Sequence, residues 1–318
     1  MKLKLILLLT LLLIILTSCN DLPVVNRFFG DKTQTSSGRG IIASFSEAPK
    51  AGTTLGEEDQ FSIVIDISNY IKSDQGVTGT LCLKDLVPDT YGGVTSREPC
   101  KSIYLPPAEE AGKQLFAGRP PETIRFPQQG FFSYRGLDPN FPQENQLIAE
   151  FSYELSTVTI ATGCVAMPQA TSASTSSCKG TQNLRIQQDD APVQISKIVM
   201  DQSTIGPNEL GLKFEITVKK VDEGILYPPS SSLSDFTPKA SVRFNALMDK
   251  TKELKCSGLS SGMIEFRKDQ NEKIIKCSIP RNLNQEIENV NLDILMEYSF
   301  RQIIKSPKFT LKKEEAFV

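Results

Sequence analysis

The chain has 318 residues, with 35 lysine and arginine residues against 37 aspartate and glutamate residues, and it contains neither histidine nor tryptophan. This near balance of charge gives no basic patch, so nucleic acid is not expected as a partner. The lack of histidine excludes Ser-His-Asp and Cys-His catalysis and histidine-ligated metal sites. An enzyme that uses a carboxylate pair or a Ser-Lys dyad remains compatible with this composition.

The N-terminal residues have the layout of a secretory signal. Lys2 and Lys4 precede an apolar run over residues 5–16, and the chain then reads Leu-Thr-Ser-Cys up to Cys19. The run has about a dozen residues, whereas a membrane-spanning helix needs ~20, so a cleaved signal is favoured over a spanning anchor. The four residues that end at Cys19 resemble the prokaryotic lipobox, whose cysteine receives a diacylglyceryl group and becomes the first residue of the mature protein.

This resemblance implies a signal peptide at residues 1–18, lipid attachment at Cys19 and the membrane as a partner. Two acyl chains anchor a protein firmly, because each buried CH₂ contributes about 0.8 kcal/mol. Residues 19–40 are polar and lack periodicity, which predicts a flexible tether. We therefore expect an extracytoplasmic protein that is lipid-anchored to the cell membrane or cell surface of a prokaryote. The alternative is an ordinary cleaved signal in which Cys19 has no role.

The first predicted domain covers residues 41–190 and has the pattern of short β-strands. Alternating apolar residues over positions 61–67 predict one strand, and residues 148–153 begin another. Residues 106–145 form a proline-rich insertion, and long loops of this kind are often functional. Its aromatic residues form a candidate partner-binding patch, with packing onto the domain as the alternative. These residues are Phe126, Phe131, Phe132 and Tyr134.

The second predicted domain covers residues 191–318 and repeats the order of the first. Leu212–Val218 alternates as residues 61–67 do, and Leu295–Phe300 matches Ile148–Tyr153. Cys82 and Cys100 correspond in order to Cys256 and Cys277. We interpret the similarity as an internal duplication. Generic strand patterning is the alternative.

Six cysteines remain once Cys19 is assigned to the lipid. They form three couples that are well separated along the chain. An even number of cysteines in a secreted chain indicates disulfides, and nearest-neighbour pairing is favoured although several connectivities are open. A zinc site is disfavoured because no Cys-x-x-Cys motif and no histidine occur. The predicted disulfides are Cys82–Cys100, Cys164–Cys178 and Cys256–Cys277.

The predicted fold class is all-β, with two tandem immunoglobulin-like antiparallel β-sandwich domains after the signal peptide and tether. Short strands with turn residues between them fit such sandwiches. The order of strands and Gly/Pro turns resembles the tandem immunoglobulin-like domains of prokaryotic surface proteins, although the Cys…Trp…Cys core of antibody domains is missing. We therefore expect Cys82–Cys100 to join neighbouring strands, or a strand and its loop, rather than to bridge two sheets.

Candidate catalytic chemistry is sparse. The adjacent acids Glu109-Glu110 and Asp189-Asp190 point apart on a strand, so neither pair forms an acid/base dyad by spacing. Asp201, Asp222-Glu223 and Asp235 lack the spacing of an EF-hand loop. Calcium binding at the predicted domain junction, around residues 188–190, stays an alternative. We predict no catalytic residues, no metal and no cofactor.

The sequence thus predicts a lipid-anchored protein without catalytic activity. We expect it to bind or scaffold other cell-envelope or surface proteins through loops or sheet edges. The main alternative is an extracytoplasmic hydrolase that uses carboxylates without histidine. A solute-binding lipoprotein would need α/β lobes, and no sufficiently long helical pattern occurs.

Overall fold

A computed structural model of the chain describes residues 40–71, 76–87, 89–94, 100–107, 120–137, 143–169, 178–230 and 239–313. The predicted signal peptide, Cys19, the tether up to residue 39 and Glu109-Glu110 lie outside the described residues. Residues 38–318 form one compact unit by their internal contacts. In the described part, no helix is long and apolar enough to cross a membrane.

The regular secondary structure of the described residues is almost entirely β-strand, with one 3-10 turn at Asp89–Tyr91. The strands are β1 (Ile41–Glu47), β2 (Thr54–Leu55), β3 (Ile63–Asn69), β4 (Val77–Lys84), β5 (Cys100–Leu105), β6 (Glu122–Phe126), β7 (Gln143–Asn145), β8 (Ile148–Ala166), β9 (Gln182–Asn183), β10 (Arg185–Gln188), β11 (Val193–Gly206), β12 (Glu209–Lys220), β13 (Ile225–Tyr227), β14 (Ser241–Met248), β15 (Lys252–Glu253), β16 (Lys255–Ser257), β17 (Met263–Glu265), β18 (Glu272–Asn282), β19 (Ile287–Lys305) and β20 (Phe309–Leu311). The predicted all-β class is confirmed.

Four sheets are formed by the described strands. The largest has nine strands in the order β15-β14-β19-β8-β4-β5, with β10 beside β8, β13 beside β19 and β17 beside β14. A five-stranded sheet runs β16-β18-β12-β11-β9. Two three-stranded sheets run β1-β3-β6 and β2-β20-β7. Apart from the β2-β20 pair, the strands pair in antiparallel fashion.

The central sheet is built around two strands of 19 residues each, β8 and β19, which pair along their whole length. Odd-numbered residues of β8 from 149 to 161 are buried, as are even-numbered residues of β19 from 290 to 302. This period of two produces one apolar face and one solvent face. The β1-β3-β6 sheet and the five-stranded sheet each contact the apolar face: Ala43 N of β1 donates to Gln302 Oε1 at 3.2 Å, and Val193 N of β11 donates to Tyr298 Oη at 3.3 Å.

The two halves of the chain have the same strand connectivity. In the first half β3 pairs with β1 and β6, while β4 pairs with β5 and β8. In the second half β12 pairs with β11 and β18, while β14 pairs with β17 and β19. The segments matched in the sequence lie in equivalent strands, and the matched residues Tyr153 and Phe300 face each other directly. These observations support an internal duplication.

The predicted division into two separate immunoglobulin-like domains is not confirmed. The central sheet combines strands from both sides of residue 190, and one hydrophobic cluster extends from Ile41 to Leu311. The proline-rich insertion also contains regular structure, because β6 and β7 both fall within residues 106–145. The pairing of β8 with β19 is the feature that joins the halves.

The three predicted disulfides, Cys82–Cys100, Cys164–Cys178 and Cys256–Cys277, are confirmed. The first and third each join directly opposite residues of neighbouring antiparallel strands, with Cα atoms 4.0 Å apart. Cys82–Cys100 therefore joins neighbouring strands, as expected. The proposed correspondence of the cysteines between the halves is wrong: Cys100 lies in β5, whereas Cys277 lies in β18, the counterpart of β6. Three disulfides indicate an oxidising, extracytoplasmic environment.

Candidate functional site

The aromatic residues predicted as a partner-binding patch do not share one surface. Phe126 and Tyr134 are 1% and 0% exposed, and Phe132 is half-buried with its ring 5.7 Å from that of Phe61. Phe131 is 57% exposed, so it alone of the four presents its ring to solvent. The sequence left open the alternative that these aromatic residues pack onto the core. Phe126, Phe132 and Tyr134 do so.

Tyr134 belongs to a buried polar network. Its hydroxyl donates to Asp85 Oδ2 at 2.7 Å, and Asn145 Nδ2 donates to Asp85 Oδ1 at 2.8 Å and to Tyr134 Oη at 2.9 Å. The backbone N–H groups of Val87 and Val94 also donate to the Asp85 carboxylate. Burial, with the adjacent Asp85 charge, raises the pKa of Tyr134 far above its ordinary value. The network joins three chain segments by hydrogen bonds, so we interpret it as a contribution to stability rather than as a binding site.

A groove of about 550 Å³ crosses the solvent face of the five-stranded sheet. Its charged residues come from β11, β12, β16 and β18, and all of them are exposed. We call it the lysine groove. Its defining residues are Asp201, Lys213, Glu215, Lys255 and Lys276.

Strand register sets the charge pattern of this groove. In one row Asp201 lies opposite Lys213, which lies opposite Ser278, which lies opposite Lys255. In the next row Glu215 of β12 lies opposite Lys276 of β18. Because neighbouring strands are about 4.8 Å apart, the backbones of Lys213 and Lys255 are roughly 10 Å from each other across Ser278. Three lysine residues therefore occupy positions next to one exposed serine on the same face of the sheet.

The groove depends on alternation and on one disulfide. Leu212, Phe214 and Ile216 are buried in the core, which directs Lys213 and Glu215 to solvent. The edge strand β16 has only three residues, and Cys256 within it is bonded to Cys277 of β18 on the core side. This bond fixes the edge that carries Lys255. Lysine stems contribute apolar surface while their charged ends donate to anionic groups, so the groove suits a ligand with acidic groups.

The solvent face of the central sheet has a different character. Val158 and Ile160 of β8 are 52% and 38% exposed, and half-buried Leu247 and Leu295 lie beside them on β14 and β19. Asp293 lies between Ile160 and Leu247 in the sheet register. Its Oδ2 atom is buried and has no hydrogen-bond partner in the described part of the chain. We call these five residues the acidic–aliphatic face.

A second groove, of about 260 Å³, lies beside that face and contains Glu154 and Glu297. The two acids are diagonal neighbours, because Glu297 lies opposite Ser156 and Glu154 opposite Ser299. Diagonal pairs have Cβ atoms about 7 to 8 Å apart. Arg243 binds Glu297 at 3.2 Å, so the two carboxylates have different surroundings.

The residues weighed for metal binding do not form a cluster in the structure. Within the described ranges, no group of three or more cysteine, aspartate or glutamate residues is arranged to hold a metal ion. Near the calcium alternative at residues 188–190, the Gln188 side chain instead binds the backbone of Ile195, accepting at 2.9 Å and donating at 3.0 Å. The calcium alternative therefore gains no support from these contacts.

Neither a scan of protein-family models nor a search of curated proteins finds a match to this sequence.

Proposed function

We propose that the chain is a lipid-anchored extracytoplasmic protein without catalytic activity that binds or scaffolds other envelope components through the lysine groove. The observation that carries the proposal is the convergence of Lys213, Lys255 and Lys276 from three strands in one open groove. The lipobox resemblance at Cys19 and the three disulfides support an extracytoplasmic location at the membrane.

The charge of the groove defines the chemistry of its partner. Three lysines against Asp201 and Glu215 leave one excess positive charge, which favours a partner surface that has an acidic side chain among neutral ones. Complementary charges accelerate encounter and select the partner, and their effect weakens as salt screens them. Binding through this groove is therefore expected to decrease as ionic strength rises.

The binding proposal can be tested by site-specific photo-crosslinking of the full chain in cells. A photoreactive residue at position 276 is expected to capture a partner, and Lys213→Glu combined with Lys255→Glu is expected to abolish the adduct. The matched control is a photoreactive residue at Lys84, which is exposed on the central sheet and bound to Glu150. Equal capture at both positions, or capture that survives the charge reversals, would contradict a role for the groove.

The lipid anchor has a separate test. Growth with an alkyne-bearing fatty acid is expected to label the wild-type protein, and Cys19→Ala is expected to lose the label and leave the membrane fraction. A protein that stays unlabelled in the wild type, or labelled in the variant, would rule out lipidation at Cys19.

The alternative hydrolase has its best support at Glu154 and Glu297. Two carboxylates in different surroundings are the arrangement that acid/base hydrolysis uses. If the groove were catalytic, purified protein would hydrolyse members of a panel of chromogenic glycosides and esters, and Glu154→Gln would abolish that activity. We favour binding because Glu297 is already held by Arg243.

A further inference from the structure

We infer that the lysine groove of one copy binds the acidic–aliphatic face of a second copy, so that the protein associates head to tail. This inference rests on the proposed function, because it names the partner of the same groove.

Asp293 is half-buried as a residue, and its Oδ2 atom is buried without a hydrogen-bond partner in the described part of the chain. A buried carboxylate oxygen without a donor is unfavourable, and a cationic donor from a partner would relieve that cost once a rotation of the Asp293 side chain brings the oxygen to the surface. The surrounding Leu247, Leu295, Val158 and Ile160 would exclude water from the contact, as the apolar ring around an interface hot spot does.

The solvent face of the five-stranded sheet can supply the cationic donor. On the solvent face of β18, Lys276 lies two residues from Ile274, which is 46% exposed. The Cα atoms of an aliphatic residue and a lysine are thus about 6.6 Å apart along one strand, with both side chains on the same face. On the acidic–aliphatic face, Ile160 of β8 and Asp293 of β19 lie directly opposite each other on adjacent strands. Each surface therefore contains an aliphatic residue close to a charged one, and the charges of these two pairs have opposite signs.

The lysine groove has one more basic than acidic residue, and the acidic–aliphatic face has a single acid. Contact between unlike surfaces is therefore favoured over a contact that uses the same surface on both copies. The complementary surfaces lie on different sheets, so the contact is heterologous and can extend from copy to copy. Tethering to one membrane would raise the effective concentration of the copies.

The first test uses the full chain in cells with a photoreactive residue at Ile160. Two copies with different epitope tags are expressed together, so that an adduct containing both tags identifies a second copy. We expect such adducts, with the new bond mapped to the strands of the lysine groove, at residues 199–215 or 255–278. The control position is Tyr104, which is 60% exposed on β5 of the same sheet and is expected to give no such adduct. Adducts without a second tag, or bonds mapped elsewhere, overturn the inference.

The second test uses two full-chain variants reconstituted in lipid nanodiscs or detergent and followed by light scattering. Val158→Lys is expected to inactivate the acidic–aliphatic face, and Lys276→Glu the lysine groove, each weakening association at least about tenfold. Mixed together, the variants still hold one intact face each, so they are expected to form a 1:1 dimer that grows no further. Asp293→Asn, which keeps the side-chain shape, is expected to weaken association as well. A wild type that stays monomeric, or a mixture that does not dimerise, overturns the inference.

Crosslinking at position 276 distinguishes failure of head-to-tail assembly from failure of the proposed binding function. Capture of a different protein at position 276, without self-association, would refute head-to-tail assembly and leave the binding function standing. Capture of nothing at position 276 would refute both.

Discussion

The two halves of this chain share their strand connectivity but differ in how their strands are joined covalently. In the first half, the Cys82–Cys100 bond lies on the solvent face of the central sheet, where Cys82 is half-buried and Cys100 exposed. In the second half, Cys256–Cys277 lies on the core side of the five-stranded sheet and fixes an edge strand. Similar local couples in the sequence therefore stabilise different sheets.

The polar contacts of the halves differ in the same way. The first half holds its loops through Asp85, Tyr134 and Asn145, which are withdrawn from solvent. The second half uses Arg281, whose guanidinium contacts Asp249 at 2.7 Å and Glu288 at 3.0 Å. Alternating apolar residues maintain the common connectivity, whereas the contacts that fix edges and loops have diverged. The lysine groove lies on the five-stranded sheet, which has two more strands than the β1-β3-β6 sheet of the first half.

The largest expected effect comes from the residue where the halves meet. Phe300 is fully buried, pairs with Tyr153 and has its ring 5.9 Å from the tyrosine ring. Phe300→Ala is expected to lower the free energy of unfolding by about 4 kcal/mol, because a large core side chain is replaced by a cavity. Hydrogen exchange is expected to accelerate in both β3 and β12, since the central sheet spans the halves.

The matched control for this prediction is Phe131→Ala. Phe131 is 57% exposed, so its loss is expected to change stability by no more than about 0.5 kcal/mol. If Phe300→Ala accelerated exchange in β12 alone, the halves would unfold independently and the two-domain organisation predicted from the sequence would gain support.

The strands were predictable, but their partners were not. The alternation over residues 61–67 and 212–218 indicated β3 and β12, and both lie in the core. The pairing of β8 with β19 left no local signal, because a strand with one buried face has the same pattern whichever neighbour binds each edge. Because the pairing of β8 with β19 could not be predicted, the sequence alone indicated a domain boundary at residue 190.

The candidate binding surfaces were harder to predict than the fold. Lys213, Lys255 and Lys276 are far apart in sequence and meet because β16 and β18 pair beside β12. The Lys213–Glu215 alternation marks a solvent face but does not indicate which other strands share it. Conversely, Tyr134 resembled a loop aromatic in the sequence and is buried by hydrogen bonds to Asp85 and Asn145, which no motif marks.

The polar network of the first half is expected to give the next largest effect. Asp85 accepts hydrogen bonds from two side chains and two backbone N–H groups, so Asp85→Asn would place an amide donor among donors. We expect a loss of about 2 to 3 kcal/mol in the free energy of urea unfolding. Asp66→Asn is the matched control, because the Asp66 side chain accepts from the exposed Thr123 hydroxyl at 2.9 Å. Equal losses in the two variants would show that the network adds no stability of its own.

The smallest expected effect concerns the polar contact of the second half, and it depends on pH. Burial tends to raise the pKa of Glu288, but hydrogen bonds from the Asn284 and Gln285 backbone and from Arg281 outweigh it and hold the pKa below its ordinary value of 4.5. Because the folded pKa is the lower one, this contribution is complete above pH 4.5 and is lost as pH falls through the folded pKa. Glu288→Gln is therefore expected to cost about 1 kcal/mol at neutral pH and progressively less in acid. Unfolding curves measured between pH 7 and strong acid test this, with the exposed Glu286→Gln as a control whose difference from wild type stays constant. A Glu288→Gln penalty that persisted at the acid end would mean that shape, rather than the carboxylate charge, holds the turn between β18 and β19.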